Sequence, residues 1–185
     1  RLVQQYESGI YNAMNLGIQE SNGDYCVFLN AGDEFINKFN VEEISKNYHV
    51  DVFCYSYIQS FSKFNRKKKG VIHKKKFMNL LAMPTSHQAM IFKGSKLREK
   101  FFDESFRICG DYAFYLSSLN SNWKYRLIDQ DLVAFKMNGI SSTKPFLLFK
   151  ESCISIFKYM KANYFFKFFA SIIILIRVYL RYILI

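Results

Sequence analysis

Short apolar runs, separated by polar turns and by stretches with helical spacing, make up most of this chain. Residues 25–29 are five apolar residues without alternation, which predicts a strand buried on both faces of a mostly parallel sheet. Residues 50–58 predict the next strand. Ahead of them, Ile10, Met14 and Ile18 recur at four-residue spacing and predict a helix. A helix that leads into a buried strand is typical of the α/β class.

The later elements are predicted from shorter signals. Asn40 followed by Glu43 has the spacing of a capping box, which predicts a short helix. Further along we expect a strand over residues 89–92, a helix over 110–119, two short strands within 124–137, and apolar helices from Pro145 onward. We therefore divide the chain into an α/β domain, residues 1–144, and a C-terminal helical segment, residues 145–185.

Polar residues follow directly after the first predicted strand. Asn30, Gly32 and Asp33 stand where ligands bind in open α/β sheets, just beyond the carboxyl end of a strand. Carboxylate and amide oxygens suit a hard divalent cation such as Mg²⁺ or Mn²⁺. The same three residue types are also common in turns, and this stretch alone favours a turn over a metal site.

The charge of the chain points to anionic partners. There are 26 basic and 15 acidic residues among 185, a formal net charge of +11. Lysine-rich runs at 66–69 and 74–76 are most simply a solvated rim, and the alternative is contact with phosphorylated lipid or membrane head groups. No aromatic-rich single-strand motif accompanies the runs, so nucleic acid is not expected.

The four cysteines are widely spaced, which predicts reduced thiols and a cytosolic setting.

Two polar residues in the second half are candidates for chemistry. His87 precedes a predicted strand, where a lone histidine is more often structural than catalytic. Asp111 lies at a helix start, where an aspartate normally caps the helix or interacts with its dipole. Its other possible use is as a general base at the mouth of a site.

Four stretches occur in a definite order: residues 7–18 (E-S-G-I-Y-N-A-M-N-L-G-I), residues 28–33 (F-L-N-A-G-D), His87-Gln88, and Gly110-Asp111-Tyr112. They resemble the motifs of family-2 glycosyltransferases of the GT-A fold, the class that builds bacterial surface polysaccharides. The first resembles D-x-G-I-Y-D-A-M-N-x-G-I, and the second resembles the metal-binding D-x-D region in an N-x-G-D form. The fourth lies at the place of the catalytic acidic motif, and residues 135–141 resemble the loop that follows it.

The resemblance implies a partial GT-A (Rossmann-like) mixed sheet with flanking helices. It implies inverting, hexosyl-type transfer from a nucleotide-diphosphate-sugar to a saccharide or lipid-linked acceptor. The residue roles that it implies are a catalytic base, Asp111; a Mg²⁺ or Mn²⁺ ligand, Asp33; donor-binding residues, Glu7, Asn12, Asn30 and Asp33; and residues that contact the acceptor or diphosphate, His87, Gly139 and Ser141.

The chain also departs from the family pattern. Glu7 and Asn12 replace aspartates, Asn30 and Gly32 leave Asp33 as the one carboxylate of the metal motif, and Gly110 replaces a frequent acidic residue. Family members begin with a nucleotide-binding unit that precedes these motifs, so we expect the base pocket to lie outside these residues and this stretch alone to be inactive. Two alternatives stay open: a non-catalytic basic module for membrane or nucleic acid, and a degenerate transferase-like scaffold.

Residues 163–185 form the most apolar stretch and predict a helix that lies in a membrane interface. Lys167, Arg177 and Arg181 fall within one arc at about 0°, 280° and 320° when each residue turns the helix by 100°. We expect this basic arc to face anionic head groups, with the aromatics among the acyl chains. The protein would then be peripheral on the cytoplasmic face of the inner membrane. The alternative is a helix packed on the domain's own core.

Overall fold

The computed structural model describes residue 4 and residues 9–61, 65–74, 76–136 and 143–183. Its helices are α1 (Ile10–Glu20), α2 (Val41–Lys46), α3 (Lys76–Asn79), α4 (Gly94–Arg98), α5 (Gly110–Asn120), α6 (Pro145–Tyr159) and α7 (Tyr164–Ile183), with a 3₁₀ turn at His87–Ala89. Its strands are β1 (Tyr25–Val27), β2 (Glu34–Phe35), β3 (Val52–Ser60), β4 (Asn65–Lys68), β5 (Met90–Lys93) and β6 (Tyr125–Lys136).

The strands form one mixed sheet with flanking helices, which confirms the predicted fold class. Its order is β1-β5-β3-β6-β2, and β4 pairs with the second half of β3. Only β3 and β6 run parallel, and the other pairs are antiparallel. The central strand β3 alternates strictly between the two faces, since Val52 and Cys54 enter one core cluster while Phe53 and Tyr55 enter another. The prediction of a strand over residues 50–58 is therefore confirmed, with the strand itself at Val52–Ser60.

The prediction for residues 25–29 was wrong in three respects. The strand β1 covers only Tyr25–Val27, its residues are half-buried, and it pairs antiparallel with β5 at one edge of the sheet. A run of apolar residues cannot by itself distinguish a central strand from an edge strand covered by a helix. Here Phe28, which follows β1, contributes to the core through edge-on contacts with Phe92 and Phe102.

The prediction of two short strands within residues 124–137 was also wrong, because β6 is a single strand of 12 residues. It pairs with β3 along its whole length, and its register shifts opposite Ser56. The shift inserts extra residues into β6, as in a β-bulge. The polar Asp129 and Gln130 within this irregular part account for the interruption in the sequence pattern.

Two other local predictions are confirmed. The Asn40 side chain accepts a hydrogen bond from the Glu43 amide at 3.0 Å, which is one half of the capping box that opens α2. In α1 the residues Met14 and Ile18 are buried, while Ile10 is exposed and Tyr11 takes its place in the core.

Helix α5 lies between the sheet and the two C-terminal helices. On one side Ala113 and Phe114 belong to the cluster beneath the sheet. On the other side Tyr112 and Leu116 pack in a cluster with residues of α6 and α7, among them Ile156, Ala170 and Ile174. The C-terminal helices are thereby joined to the same core that positions the start of α5.

Helix α7 confirms the predicted helix, and two residues of its basic arc make hydrogen bonds within the protein. Arg177 donates a hydrogen bond to the Leu81 carbonyl at 2.8 Å, and Lys167 donates one to the Phe157 carbonyl at 3.0 Å. The Arg177 contact reaches the α/β domain and the Lys167 contact reaches α6, both on the helix side where Ala170 and Ile174 are buried. The orientation of these side chains toward head groups stays a prediction, since each makes one backbone contact within the protein. The side chain of Arg181 lies outside the described residues.

The opposite side of α7 is exposed and apolar. At about 100° per residue its exposed apolar residues cover an arc of about 160° without a charged residue. They are Tyr164, Phe165, Phe168, Phe169, Ile172, Leu175, Ile176, Tyr179 and Leu180. We call this arc the outer face of α7. Within the described part of the chain, no helix has the length and apolarity needed to cross a bilayer.

The lysine-rich run before residue 70 is part of the sheet. Strand β4 pairs antiparallel with β3, and Lys67 forms an ion pair of 2.7 Å with Asp131. Lys69 lies 3.4 Å from Asp129. These partners on β6 support the simpler interpretation, a basic rim partly neutralised by neighbouring carboxylates.

Candidate functional site

Two adjacent residues connect the two carboxylates that the sequence singled out. Nδ1 of His87 lies 3.2 Å from Oδ2 of Asp111, and Nε2 of Gln88 donates a hydrogen bond of 3.2 Å to Oδ2 of Asp33. Asp33 follows the edge strand β1, Asp111 begins α5, and the 3₁₀ turn between them leads into β5. Residues from three distant parts of the chain thus meet at one place beside the sheet.

The loop that carries Asp33 is both a turn and part of the site. The Asp33 amide donates to the Asn30 carbonyl at 3.0 Å, and Gly32 adopts φ +91°. That left-handed conformation favours glycine over a residue with a side chain. It accounts for a glycine, rather than a carboxylate, before Asp33 in the metal motif. The turn reading and the site reading of these residues are therefore compatible, because the turn directs Asp33 toward Gln88.

Asp111 is the second residue of α5, where the helix dipole favours a carboxylate. Its Oδ1 accepts a hydrogen bond from the Tyr112 amide at 2.8 Å, and Oδ2 faces His87. The side chain is 23% exposed. An ionised carboxylate offers about four lone-pair directions, so Asp111 retains capacity to accept a proton from a bound hydroxyl.

A buried glutamate fixes the loop that leads into α5. Glu151 on α6 is 5% exposed, and its carboxylate accepts backbone hydrogen bonds from Arg107, Ile108 and Cys109 at 2.8–3.0 Å. Buried carboxylates require such compensation, and here the compensation orders the three residues ahead of the helix. Glu151 was not identified from the sequence, because a glutamate within an apolar helix has no local motif.

Tyr11 supports the same loop from α1. Its hydroxyl donates to the Ile108 carbonyl at 2.7 Å, and its ring lies against Gly110. Burial is the main reason why the pKa of Tyr11 is raised far above its usual value, and the nearby Asp111 carboxylate raises it further. Tyr11 therefore stays a neutral hydrogen-bond donor next to the catalytic candidate.

The predicted donor-binding residue Asn12 is held by a carboxylate that the sequence analysis did not single out. Its Nδ2 donates to Glu104 at 3.2 Å, and the buried Asn15 donates to the same carboxylate at 2.7 Å. These hydrogen bonds, from Asn15 first and then Asn12, lower the pKa of Glu104. The only signal in the sequence was the repeated asparagine, one helical turn apart on α1.

Asp33 is the predicted ligand of a divalent metal ion. Among the residues that the structure describes, no group of three or more His, Cys, Asp or Glu side chains converges to hold a metal ion. Mg²⁺ is often bound by one or two carboxylates together with waters and substrate phosphates, rather than by an all-protein cage. Asp33 fits that mode, because Gln88 occupies Oδ2 and the half-buried carboxylate keeps Oδ1 for a cation.

Three residues of the predicted site, Glu7, Gly139 and Ser141, lie outside the described residues. Of the remaining residues, Asp33, Asp111 and His87 are brought together, with Asn30 in the same turn as Asp33. Gln88 is the residue whose contact the motif did not predict. Its position beside His87 in the third motif was the available signal.

Comparisons with known proteins found a structural likeness only. No protein-family model matches the sequence, and no curated protein matches it. The structure is similar to that of Staphylococcus aureus TarS residues 1–349 in complex with UDP, with a TM-score of 0.56 and 14% identity over 96% of this chain and 52% of that chain. It is also similar to a longer S. aureus TarS structure, with a TM-score of 0.56 and 13% identity over 86% of this chain and 29% of that chain.

The chain has a GT-A-like fold. At this identity the likeness shows the fold alone. The chain spans about half of the first TarS structure and under a third of the second. The GT-A-like fold agrees with the architecture expected from the four ordered motifs, and within the described residues His87 contacts Asp111 and Gln88 contacts Asp33.

Proposed function

We propose that this chain is part of an inverting glycosyltransferase that moves a sugar from a nucleotide-diphosphate donor to a hydroxyl of a saccharide or lipid-linked acceptor. The observation that carries the proposal is the meeting of Asp33 and Asp111 across the His87-Gln88 dipeptide. The two carboxylates suit different tasks, since one borders an exposed turn and the other begins a helix packed on the core. The TarS complex with UDP supports uridine diphosphate sugars as the first donors to examine.

Asp111 acts as the general base in this proposal. The acceptor oxygen attacks the anomeric carbon while its proton passes to the Asp111 carboxylate, and the bond to the nucleoside diphosphate breaks on the opposite side of that carbon. A positioned general base typically contributes about 10²–10⁴-fold to the rate. His87 and the Tyr112 amide fix the carboxylate without occupying all its acceptor positions.

In this proposal Asp33, with Asn30 beside it in the same turn, would hold Mg²⁺ or Mn²⁺. A divalent ion there would supply a Lewis acid that neutralises the leaving diphosphate. Asn12, oriented by Glu104, contacts the donor sugar or ribose. Glu7 is assigned to the same side, and Gly139 and Ser141 to the acceptor, on the resemblance of their motifs.

The direct test is release of UDP from UDP-glucose, UDP-galactose and UDP-N-acetylglucosamine by the full-length protein, with and without Mn²⁺. Metal-dependent release that an added saccharide acceptor accelerates supports transfer. Absence of release from all donors and acceptors, with UDP still bound in calorimetry, would favour the degenerate scaffold. Absence of both would favour a non-catalytic basic module.

The structure gives the basic-module alternative little support. The lysines at 67 and 69 have acidic partners on β6, so the charge run does not present a bare cationic surface. Under that alternative, moreover, nothing requires Gln88 and His87 to contact two carboxylates from distant parts of the chain.

The outer face of α7 supports a second part of the proposal, peripheral binding to an anionic bilayer on the cytoplasmic side. The face exposes phenylalanine, tyrosine and aliphatic residues, which is the composition of helices that lie in a membrane interface. Because Arg177 and Lys167 donate hydrogen bonds to backbone carbonyls of Leu81 and Phe157, insertion of apolar residues supplies the main attraction in this proposal. Such binding would bring the site to lipid-linked acceptors.

A further inference from the structure

We infer that the dipeptide His87-Gln88 is a positioning device that holds the general base with one residue and the metal ligand with the next. This inference rests on the proposed function of Asp111 and Asp33. It assigns distinct effects to two neighbouring residues. His87 orients the carboxylate that receives the proton, and Gln88 orients the carboxylate that binds the cation.

The backbone of this dipeptide is rigidly placed. Gln88 and Ala89 are buried, and the 3₁₀ turn continues directly into β5, which lies between β1 and β3 in the sheet. The preceding Thr85 donates its hydroxyl hydrogen to the Tyr55 carbonyl on β3 at 2.7 Å. The turn is thus held by a hydrogen bond to β3 on one side and by the start of β5 on the other.

The orientation of the Gln88 amide is determined by its two contacts. Its Oε1 accepts a hydrogen bond from the Ser86 hydroxyl, so its Nε2 is the atom that donates to Asp33. An amide turned the other way would place two acceptors, Oε1 and a carboxylate oxygen, against each other. Gln88 therefore holds Oδ2 of Asp33 and directs Oδ1 away from itself.

The His87 ring has one defined polar contact. Nδ1 faces Asp111, while Nε2 is buried and has no hydrogen-bond partner among the described residues. With an ionised Asp111, Nδ1 must carry the proton and donate it into the hydrogen bond. The ring is 15% exposed, which leaves little freedom to rotate away from the carboxylate. His87 is thus a positioning residue for Asp111, with the proton on Nδ1.

The arrangement predicts a separation of kinetic effects in the full-length enzyme. His87→Phe removes the donor to Asp111 and should lower kcat by about 100-fold, the cost of a small misplacement of a reacting group. It should leave Mn²⁺ affinity unchanged. Gln88→Met keeps the length of the side chain but removes its amide, and should weaken Mn²⁺ binding by about 10–100-fold, as is usual for groups that orient metal ligands.

Conservative and distant variants serve as controls. His87→Asn retains an N–H donor near the position of Nδ1 and should recover part of the lost kcat. His49→Phe and Gln19→Met replace exposed residues away from the site and should change neither quantity. If His87→Phe and Gln88→Met each altered kcat and Mn²⁺ affinity together, the dipeptide would merely support the fold and the inference would fail.

A measurement without turnover decides the inference separately from the proposed function. Nitrogen-15 NMR of labelled histidine reports which ring nitrogen of His87 carries the proton. The inference requires the proton on Nδ1 in the wild type, and Asp111→Asn should transfer it to Nε2, because the new amide can donate to Nδ1. A proton on Nε2 in the wild type would overturn the inference even if the enzyme transfers sugar. Failure to transfer sugar with the expected NMR result would overturn the proposed function and leave only the hydrogen bond from His87 to Asp111 standing.

Discussion

A Cβ atom on Gly110 would lie 2.6 Å from Cε2 of Tyr11. Real Cβ atoms do not approach other heavy atoms so closely, so either the Tyr11 ring or the helix start must move. The ring has little room, because its hydroxyl is hydrogen-bonded to Ile108 and its plane stacks on Phe102 with centroids 5.8 Å apart. An acidic side chain at position 110, which the motif that this stretch resembles frequently has, would meet the same contact.

Gly110→Ala should therefore destabilise the protein by about 1–3 kcal/mol, as overpacking of a core usually does. Urea unfolding measures the change. Gly17→Ala is the control, since a Cβ there meets nothing within 4 Å and an alanine within a helix should stabilise by about 0.4–1 kcal/mol. Equal midpoints for the two variants would show that the Tyr11 contact is not tight.

Much of the fold could be predicted because local patterns and tertiary packing agree. Helices α1, α2 and α5 follow from spacing and capping, and β3 follows from an apolar run that the sheet buries on both faces. The strand at residues 25–27 could not be placed correctly, because its apolar residues reflect cover from a helix rather than a central position. The long β6 was divided in error, since its irregular register opposite Ser56 puts polar residues within a single strand.

The site was predictable only as a set of residues. The motifs indicated Asp33, His87 and Asp111, but the contacts between them depend on strand order and on the turn before β5. Glu104 and Glu151 were missed because their partners, Asn12, Asn15 and three backbone amides, lie about 40 to 90 residues away in sequence. No local spacing encodes such contacts.

Asp103 should make stability depend on acid pH. Burial alone would raise the pKa of this carboxyl, but hydrogen bonds from Lys158, Ser105 and Tyr159 outweigh it and lower the pKa strongly. A lowered pKa means that the carboxylate stabilises the fold above its unfolded pKa of about 3.9, and that this contribution is lost as the pH falls toward the folded value.

Asp103→Asn should accordingly lower the melting temperature at neutral pH, and its difference from the wild type should shrink as the pH falls below about 3.9. Thermal unfolding followed by circular dichroism across this range provides the test. Asp129→Asn, which alters an exposed ion pair with Lys69, should change the melting temperature little at any pH. A difference for Asp103→Asn that does not vary with pH would contradict this assignment.

Asp33→Asn should weaken Mn²⁺ binding to the full-length protein, because the amide lacks the charge that attracts a hard cation. Calorimetric titration of Mn²⁺ in the presence of UDP measures the affinity. Glu34→Gln changes the neighbouring exposed carboxylate and should leave the affinity unaltered. If Glu34→Gln had the larger effect, the metal ligand would have been assigned to the wrong residue.

Loss of apolar residues from the outer face of α7 should release the protein from membranes. Phe168→Ser combined with Ile176→Ser should reduce flotation with phosphatidylglycerol vesicles, whereas Tyr48→Ser, at an exposed apolar residue elsewhere, should not. Binding should also persist in 1 M salt, where charges are screened beyond about 3 Å. Unchanged flotation of the double variant, or complete release by salt, would contradict the proposed membrane face.

The most direct test of the proposed function is Asp111→Asn in the full-length enzyme. The account predicts that the variant binds UDP and Mn²⁺ with wild-type affinity while its turnover of a UDP-sugar falls by about 10²–10⁴-fold. The variant should keep the wild-type unfolding midpoint, since the asparagine retains an oxygen for the Tyr112 amide. Turnover close to that of the wild type, in a folded variant that binds both ligands, would contradict the assignment of Asp111 as the base.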